Sequence, residues 1–199
     1  MPLPPDHPAV TRVLDAAARK GVTLELVVFD ESTHTAADAA AALAVELGQI
    51  VKSLVFVAPA DEGELEPIVC LVSGANRVDL SRLAAVSGDP DIRRATAREA
   101  NDLTGFVIGG IPPIGFTRAV RVIMDPDLGR YPMVWAAAGL PTAVFGVPPA
   151  TLLALANAVV APITEERRAA DVAAEAADVA AEAAPEAADL ATSSTATGT

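Results

Sequence analysis

The chain has 199 residues, 52% of them apolar, and a formal charge of −12. That length suits one domain with residues left over, and the acidity argues against gripping nucleic acid by bulk charge, DNA included, because phosphate contacts need Lys and Arg. No apolar run reaches the roughly 18 residues of a membrane span, MPLPPDHPAV lacks a signal-peptide pattern, and one cysteine, Cys70, excludes an internal disulfide or a Cys-rich zinc site, so the expectation is a soluble cytoplasmic protein.

Asp6 or His7 leads into Pro8 at the start of a first helix that Gly21 ends. VTLELVVF, Val22 to Phe29, reads as a strand. Thr35 and Asp38 have capping-box spacing for an alanine-rich helix with Gly48 as its stop. Ile50 to Ala58 and Pro67 to Gly74 read as two strands of a hairpin around a polar turn. Asp79 caps a short helix ending near Gly88, and Thr96 with Glu99 opens another ending at Gly105. FVIGGIPPIG breaks every regular pattern. Ala119 to Asp125, Met133 to Gly139 and Thr142 to Val147 read as strands, and Pro148 and Pro149 precede a last helix through Leu155. The expected fold is a single mixed α/β domain over residues 1–163. A hairpin among its strands speaks against a purely parallel sheet.

From Thr164 onward the sequence changes character. DVAAEAA repeats with a seven-residue period, and residues 164–199 hold eight acids and two bases. Each repeat offers one larger apolar residue, Val172 or Val179, where a coiled-coil seam wants two. The expectation is an acidic tail, weakly helical or disordered, with docking to a basic partner as the alternative.

Lysine is rare here: Lys20 and Lys52 stand against twelve arginines. Lys52 sits in IVKSLVFV, where alternation puts it with Ile50, Leu54 and Phe56 on one face and leaves Val51, Ser53, Val55 and Val57 on the other. Both faces are apolar, so the amine must reach a cleft or carry a desolvation cost. A compact ammonium suits a narrow pocket. The alternative is a lysine near a strand end that snorkels to water. The loop Gly109-Gly110-Ile111-Pro112-Pro113-Ile114-Gly115 is stiffened by its prolines and admits close backbone approach at its glycines. Such a loop can hold an oxyanion on free N–H groups or can simply be a tight turn. Two histidines, His7 and His34, at no ligand spacing give no metal site, and no cofactor motif is present.

The ordered set THTAADAAAALAVELGQIVKSLVF, VDLSRL, TGFVIGGIPPIG and VIMD resembles the YbaK/EbsC family, over about Val10 to Val160. That family shares its fold with the editing domain of bacterial prolyl-tRNA synthetase. The resemblance implies a mixed, strongly curved sheet surrounded by helices, and hydrolysis of the ester linking a small mischarged amino acid to the tRNA 3′ end. It places Lys52 at the family's near-essential lysine and Gly109 to Pro113 at its Gly-x-x-x-Pro loop. Thr35, Ser53 and Asp125 match further substrate-site positions. On this scheme Lys52 faces the ester carbonyl or the neighbouring phosphate, and N–H groups near Gly109 and Gly110 share the developing charge. His34 lies near the site, whereas His7 reads as a cap. A water activated by the substrate's ribose hydroxyl needs no side-chain base. The partner implied is mischarged tRNA, with an aminoacyl-tRNA synthetase as a further candidate through the tail. A module that binds aminoacyl-tRNA or a nucleotide without turnover is the other reading.

Overall fold

The computed structural model describes residues 7–29, 35–60 and 63–166. His34 and the DVAAEAA repeats lie outside the described residues. The compact unit that carries every element below ends at Glu165. Thr164 bridges Val78 and the Glu165 N–H reaches the carbonyl of Arg77, so the chain stays on the body slightly beyond Ile163.

Helix α1 spans Pro8–Ala18. The His7 imidazole caps it by accepting from the Ala9 N–H, and Pro8 occupies the first turn, where its missing donor costs nothing. The strand expected over Val22 to Phe29 shrinks to β1, Leu26–Val28. It pairs with one neighbour alone, β7, through Leu26 to Val28, so the residues before Leu26 have no ladder to join. Helix α2, Ala36–Leu43, starts with both arms of the capping box in place, the Asp38 N–H on the Thr35 hydroxyl and the Thr35 N–H on the Asp38 carboxylate. It ends before Gly48, because Ala44 turns left-handed at φ 53°. Gly48 is small for another reason: a Cβ there would lie 1.8 Å from the Tyr131 hydroxyl.

Strand β2, Ile50–Pro59, and β3, Leu65–Ser73, form the expected antiparallel hairpin. Helix α3, Leu80–Ser87, is capped by Asp79 and closed by Gly88. The two-residue strand β4, Arg93–Arg94, pairs with β2, and α4, Ala97–Thr104, carries the second capping box, Thr96 with Glu99. Then come β5, Arg121–Met124, the hairpin of β6, Val134–Leu140, and β7, Ala143–Val147, helix α5, Pro149–Ala156, and a two-residue strand β8, Val159–Val160, absent from the sequence expectation.

The sheet runs β1-β7-β6-β2-β3-β5-β8, with β4 on β2 beside β6. It is mixed: β6 on β2, β5 on β3 and β8 on β5 are parallel, and the remaining pairs are antiparallel. Alternation along the strands sorts the core into two faces. Val51, Val55, Val69 and Leu71 pack with Val10 and Val13 of α1, Ala100 of α4 and Leu152 of α5. Phe56, Ile68, Cys70 and Val72 pack with Leu83 of α3, while Ile50 packs with Ala39 and Ala40 of α2. Each fully buried side chain of this kind contributes about 1.5–3 kcal/mol.

Candidate active site

The centre of the sheet is interrupted. On the edge of β2 away from β3, β6 pairs at Ile50 and Val51, β4 pairs at Phe56 and Val57, and the Ala95 N–H bonds the Val55 carbonyl. No described strand pairs with Ser53 on that edge. The register fixes which groups point there: Ile50 accepts from the Gly74 N–H on the β3 side, so the even residues of β2 bond β3, and the N–H and C=O of Ser53 face the interruption.

A cavity of about 260 Å³ fills this interruption. Its floor is β2 from Ile50 to Val55. One wall is the start of α2, with Thr35, Ala36 and Ala39; another is the β6–β7 hairpin, with Trp135, Leu140 and Pro141. Arg94 and Ala95 close the β4 end, and Ile108, Gly109 and Ile111 bring in the glycine–proline loop. Trp135 lies on its cross-strand partner Gly146, whose missing side chain leaves room for the indole: a Cβ there would touch the ring at 3.1 Å.

Lys52 is half-buried, and its Nζ donates to the carbonyls of Gly74 at 2.8 Å and Asn76 at 2.5 Å. An ammonium has three donors, so this tether leaves one hydrogen for a ligand. Burial holds the amine below the ordinary lysine pKa, the Arg77 and Arg94 charges push the same way, and Asp125 opposes them. The turn that receives the amine is itself braced. Asn76 is 3% exposed, and its Nδ2 donates to Asp125 at 2.8 Å and to Asp127 at 2.9 Å. Asp125 is fully buried, and its carboxylate also accepts from the Ser73 and Asp127 N–H groups.

Lys52, Ser53, Thr35 and Gly109 therefore meet around one hollow. Three other expected site residues are placed differently. Asp125 lies behind Lys52 and acts on it through Asn76, with both carboxylate oxygens already engaged. Pro113 is buried and does not line the cavity. Gly110 does not line it either: its N–H is taken by the Val107 carbonyl at 3.1 Å, so it has no donor left for an oxyanion. A Cβ on Gly110 would sit 2.7–2.9 Å from the Leu140 backbone, which is why the loop can lie so close to β6. Ser53 lines the cavity, and its main chain faces the interruption. Its Oγ is buried and has no hydrogen-bond partner among the described residues. Cys70 is fully buried on β3, and burial pushes its thiol up to about 12, away from any nucleophilic role.

Sequence reasoning passed over Asn76, Arg77 and Trp135. The first two stand in SGANR, between a strand and a capped helix, a place that reads as a plain turn. Nothing in their local pattern announces that the turn folds under Lys52.

Residues 30–155 match the family described as the aminoacyl-tRNA editing domain, and that stretch contains every residue lining the cavity. The chain belongs to the aminoacyl-tRNA editing domain family. Among similar editing-domain proteins, the proposed Cys-tRNA(Pro)/Cys-tRNA(Cys) deacylase EbsC of Enterococcus faecalis is 27% identical over 68% of this chain and 80% of its own length. A proline–tRNA ligase of Stenotrophomonas maltophilia is 34% identical over 57% of this chain, but this covers 20% of the ligase. The crystal structure of a proposed trans-editing enzyme for prolyl-tRNA synthetase is 45% identical, with a TM-score of 0.73, covering 80% of this chain and 99% of that one. No described helix is long and apolar enough to cross a membrane.

Proposed function

We propose that this editing-domain protein is an aminoacyl-tRNA deacylase that hydrolyses the ester of a small mischarged amino acid, with Lys52 and Ser53 as the residues in contact with the ester. The observation that carries this reading is the hollow at the break in the sheet. It is lined mostly by apolar residues, and it collects one ammonium and, at Ser53, main-chain groups with no strand partner on that edge. An ester asks for little more: a place for a small side chain, donors where negative charge develops on the carbonyl oxygen, and room for water.

The Ser53 N–H is the main-chain donor best placed for that oxygen, and Gly109, which lines the hollow at φ 93°, allows the loop backbone to approach the substrate. No Asp, Glu, His or Cys lines the cavity among the described residues. We assign activation of the attacking water to the substrate's own ribose hydroxyl, a route that needs no side-chain base. A volume of about 260 Å³ is small beside the several hundred Å³ of typical ligand pockets, which favours a small aminoacyl group over a large one. Its apolar walls separate near-isosteric side chains by a few kcal/mol at best.

The test is release of amino acid from a panel of mischarged tRNAs by wild type and Lys52→Ala. The reading expects turnover by wild type and a loss of about 10²-fold or more in the variant, in line with removal of a preorganised charge-stabilising group. Equal rates would remove Lys52 from the chemistry, and binding without turnover by wild type would make the protein a non-catalytic reader of aminoacyl-tRNA.

A further inference from the structure

The arginines of the described body divide into paired and unpaired. Arg82 bonds Asp79, Arg93 bonds Glu99 at 2.6 Å, Arg98 bonds Asp102, Arg121 bonds Glu66 and Asp89, and Arg130 bonds Asp127. Arg12 donates to the Gly105 carbonyl and lies over the Phe106 ring. Arg19, Arg118, Arg77 and Arg94 are exposed and make no side-chain hydrogen bond or ion pair among the described residues, and the last two are set apart by their place. Both flank Lys52. Arg94 lines the same cavity, and Arg77 directly follows Asn76, whose carbonyl receives the Lys52 amine.

Strand β4 makes the contrast within two residues. Arg93 and Arg94 point to opposite faces; the first meets Glu99, and the second is left without a carboxylate at the cavity end of the strand. In a chain of charge −12 with many acids to spare, three cations gathered without a neutralising partner are energetically unfavourable until an anion arrives. Asp125, the carboxylate nearest this group in effect, is fully buried and committed to Ser73, Asn76 and Asp127.

We infer that Arg77 and Arg94, together with Lys52, form an anion site for the phosphodiester backbone of the RNA strand whose 3′ end enters the cavity. The inference rests on the deacylase reading for the identity of the RNA and deepens it by naming what holds the strand. It also accounts for how so acidic a protein engages a polyanion: two arginines without an acidic partner stand beside Lys52 at the cavity.

The experiment is binding of a short, fluorescently labelled single-stranded RNA ending in CCA to the full chain, by anisotropy across a salt series. Wild type, Arg77→Ala, Arg94→Ala and the double variant are compared with Arg19→Ala, which removes one charge from the end of α1. For single strands, each phosphate contact contributes about 0.7 to the slope of log K against log salt. The expected result is a slope shallower by about 0.7 in each single variant and by about 1.4 in the double variant, with Arg19→Ala unchanged. Unchanged slopes in Arg77→Ala and Arg94→Ala, or an equal change in Arg19→Ala, would overturn the assignment. Adenosine monophosphate in a parallel series separates the two sources of phosphate. If it binds as tightly as the RNA with the same arginine dependence, the site belongs to a mononucleotide and the backbone assignment fails. Wild-type deacylation is scored separately: if no mischarged tRNA is cleaved, the deacylase reading falls while the salt slopes still decide the arginines.

Discussion

The side-chain amide of Asn76 donates to the Asp125 carboxylate at 2.8 Å while the main-chain carbonyl of the same asparagine accepts from the Lys52 amine at 2.5 Å. One residue thus links a fully buried acid to the ammonium at the cavity, and the acid sets where the ammonium points without lining the cavity itself.

That linkage makes Asp125→Asn informative. Whichever way the new amide turns, its nitrogen would confront a donor, the Asp127 N–H at one position or the Ser73 N–H and Asn76 Nδ2 at the other. Leaving buried donors unmatched costs about 1–3 kcal/mol. The expected outcome is a lower urea midpoint with unchanged m-value, and a fall in kcat larger than any rise in KM, because the turn that orients Lys52 loosens. An unaltered midpoint would show that the brace is dispensable.

The depressed pKa of Lys52 gives a pH signature. Burial is its largest cause, followed by Arg77, with Arg94 weaker and Asp125 opposing. If the ammonium is the working form, kcat declines at alkaline pH with a midpoint below the ordinary lysine value of about 10.4. Arg77→Ala shifts that midpoint upward, and Arg94→Ala shifts it upward by less. For stability the sign follows from proton counting. Between the folded and unfolded pKa values the unfolded chain holds more protons at this site, so its contribution to stability rises with pH across that window. A kcat profile flat through the lysine range would remove the ammonium requirement.

Ser53→Ala separates function from stability. The wild-type hydroxyl is buried with no partner, so removing it costs the fold nothing and can stabilise it by up to about 1 kcal/mol. Deacylation is expected to fall far less than in Lys52→Ala, because the donor that Ser53 offers the ester is its main-chain N–H, which the substitution keeps. Thermal unfolding together with kcat on one mischarged tRNA checks both halves, and an activity loss as large as that of Lys52→Ala would contradict the assignment.

Gly110→Ala tests how the loop is seated. Its Cβ would fall within 2.7 Å of Leu140 Cα, a backbone neighbour that cannot swing aside. Overpacking of this kind costs about 1–3 kcal/mol, and it displaces Ile108 and Gly109, which line the cavity. A reduced Tm with an increased KM is expected. Gly109→Ala has a different origin of cost, the strain of φ 93°, because its nearest neighbour, Pro141, is 3.6 Å away.

How far the sequence anticipates the molecule depends on the range of the forces involved. Capping signals act over three residues, and Thr35–Asp38, Asp79 and Thr96–Glu99 all start helices where expected. The β2–β3 hairpin is local in the same sense. The errors come where a partner distant in sequence decides: β1 is cut short because β7 reaches it through three residues, β8 exists because β5 offers a parallel edge, and Gly48 answers Tyr131 and is not a helix stop. Lys52 stood out by composition, one of two lysines and in an apolar strand. Asn76 could not stand out, since its importance arises from a contact 49 residues away with Asp125. Motif position points to Gly110 and Asp125 as site residues, whereas neither lines the cavity and both have their polar groups engaged by contacts that the motif does not encode.

The break in pairing along β2 also bears on how this chain behaves at high concentration. A strand edge with free N–H and C=O groups ordinarily invites another molecule to add on, which is how soluble sheets begin to aggregate. Here the unpaired stretch is one residue deep and enclosed by α2, the β6–β7 hairpin and the loop at Gly109, so a second chain has no straight approach to it. The same enclosure that shapes the cavity keeps this one open hydrogen-bonding edge out of reach of a second strand.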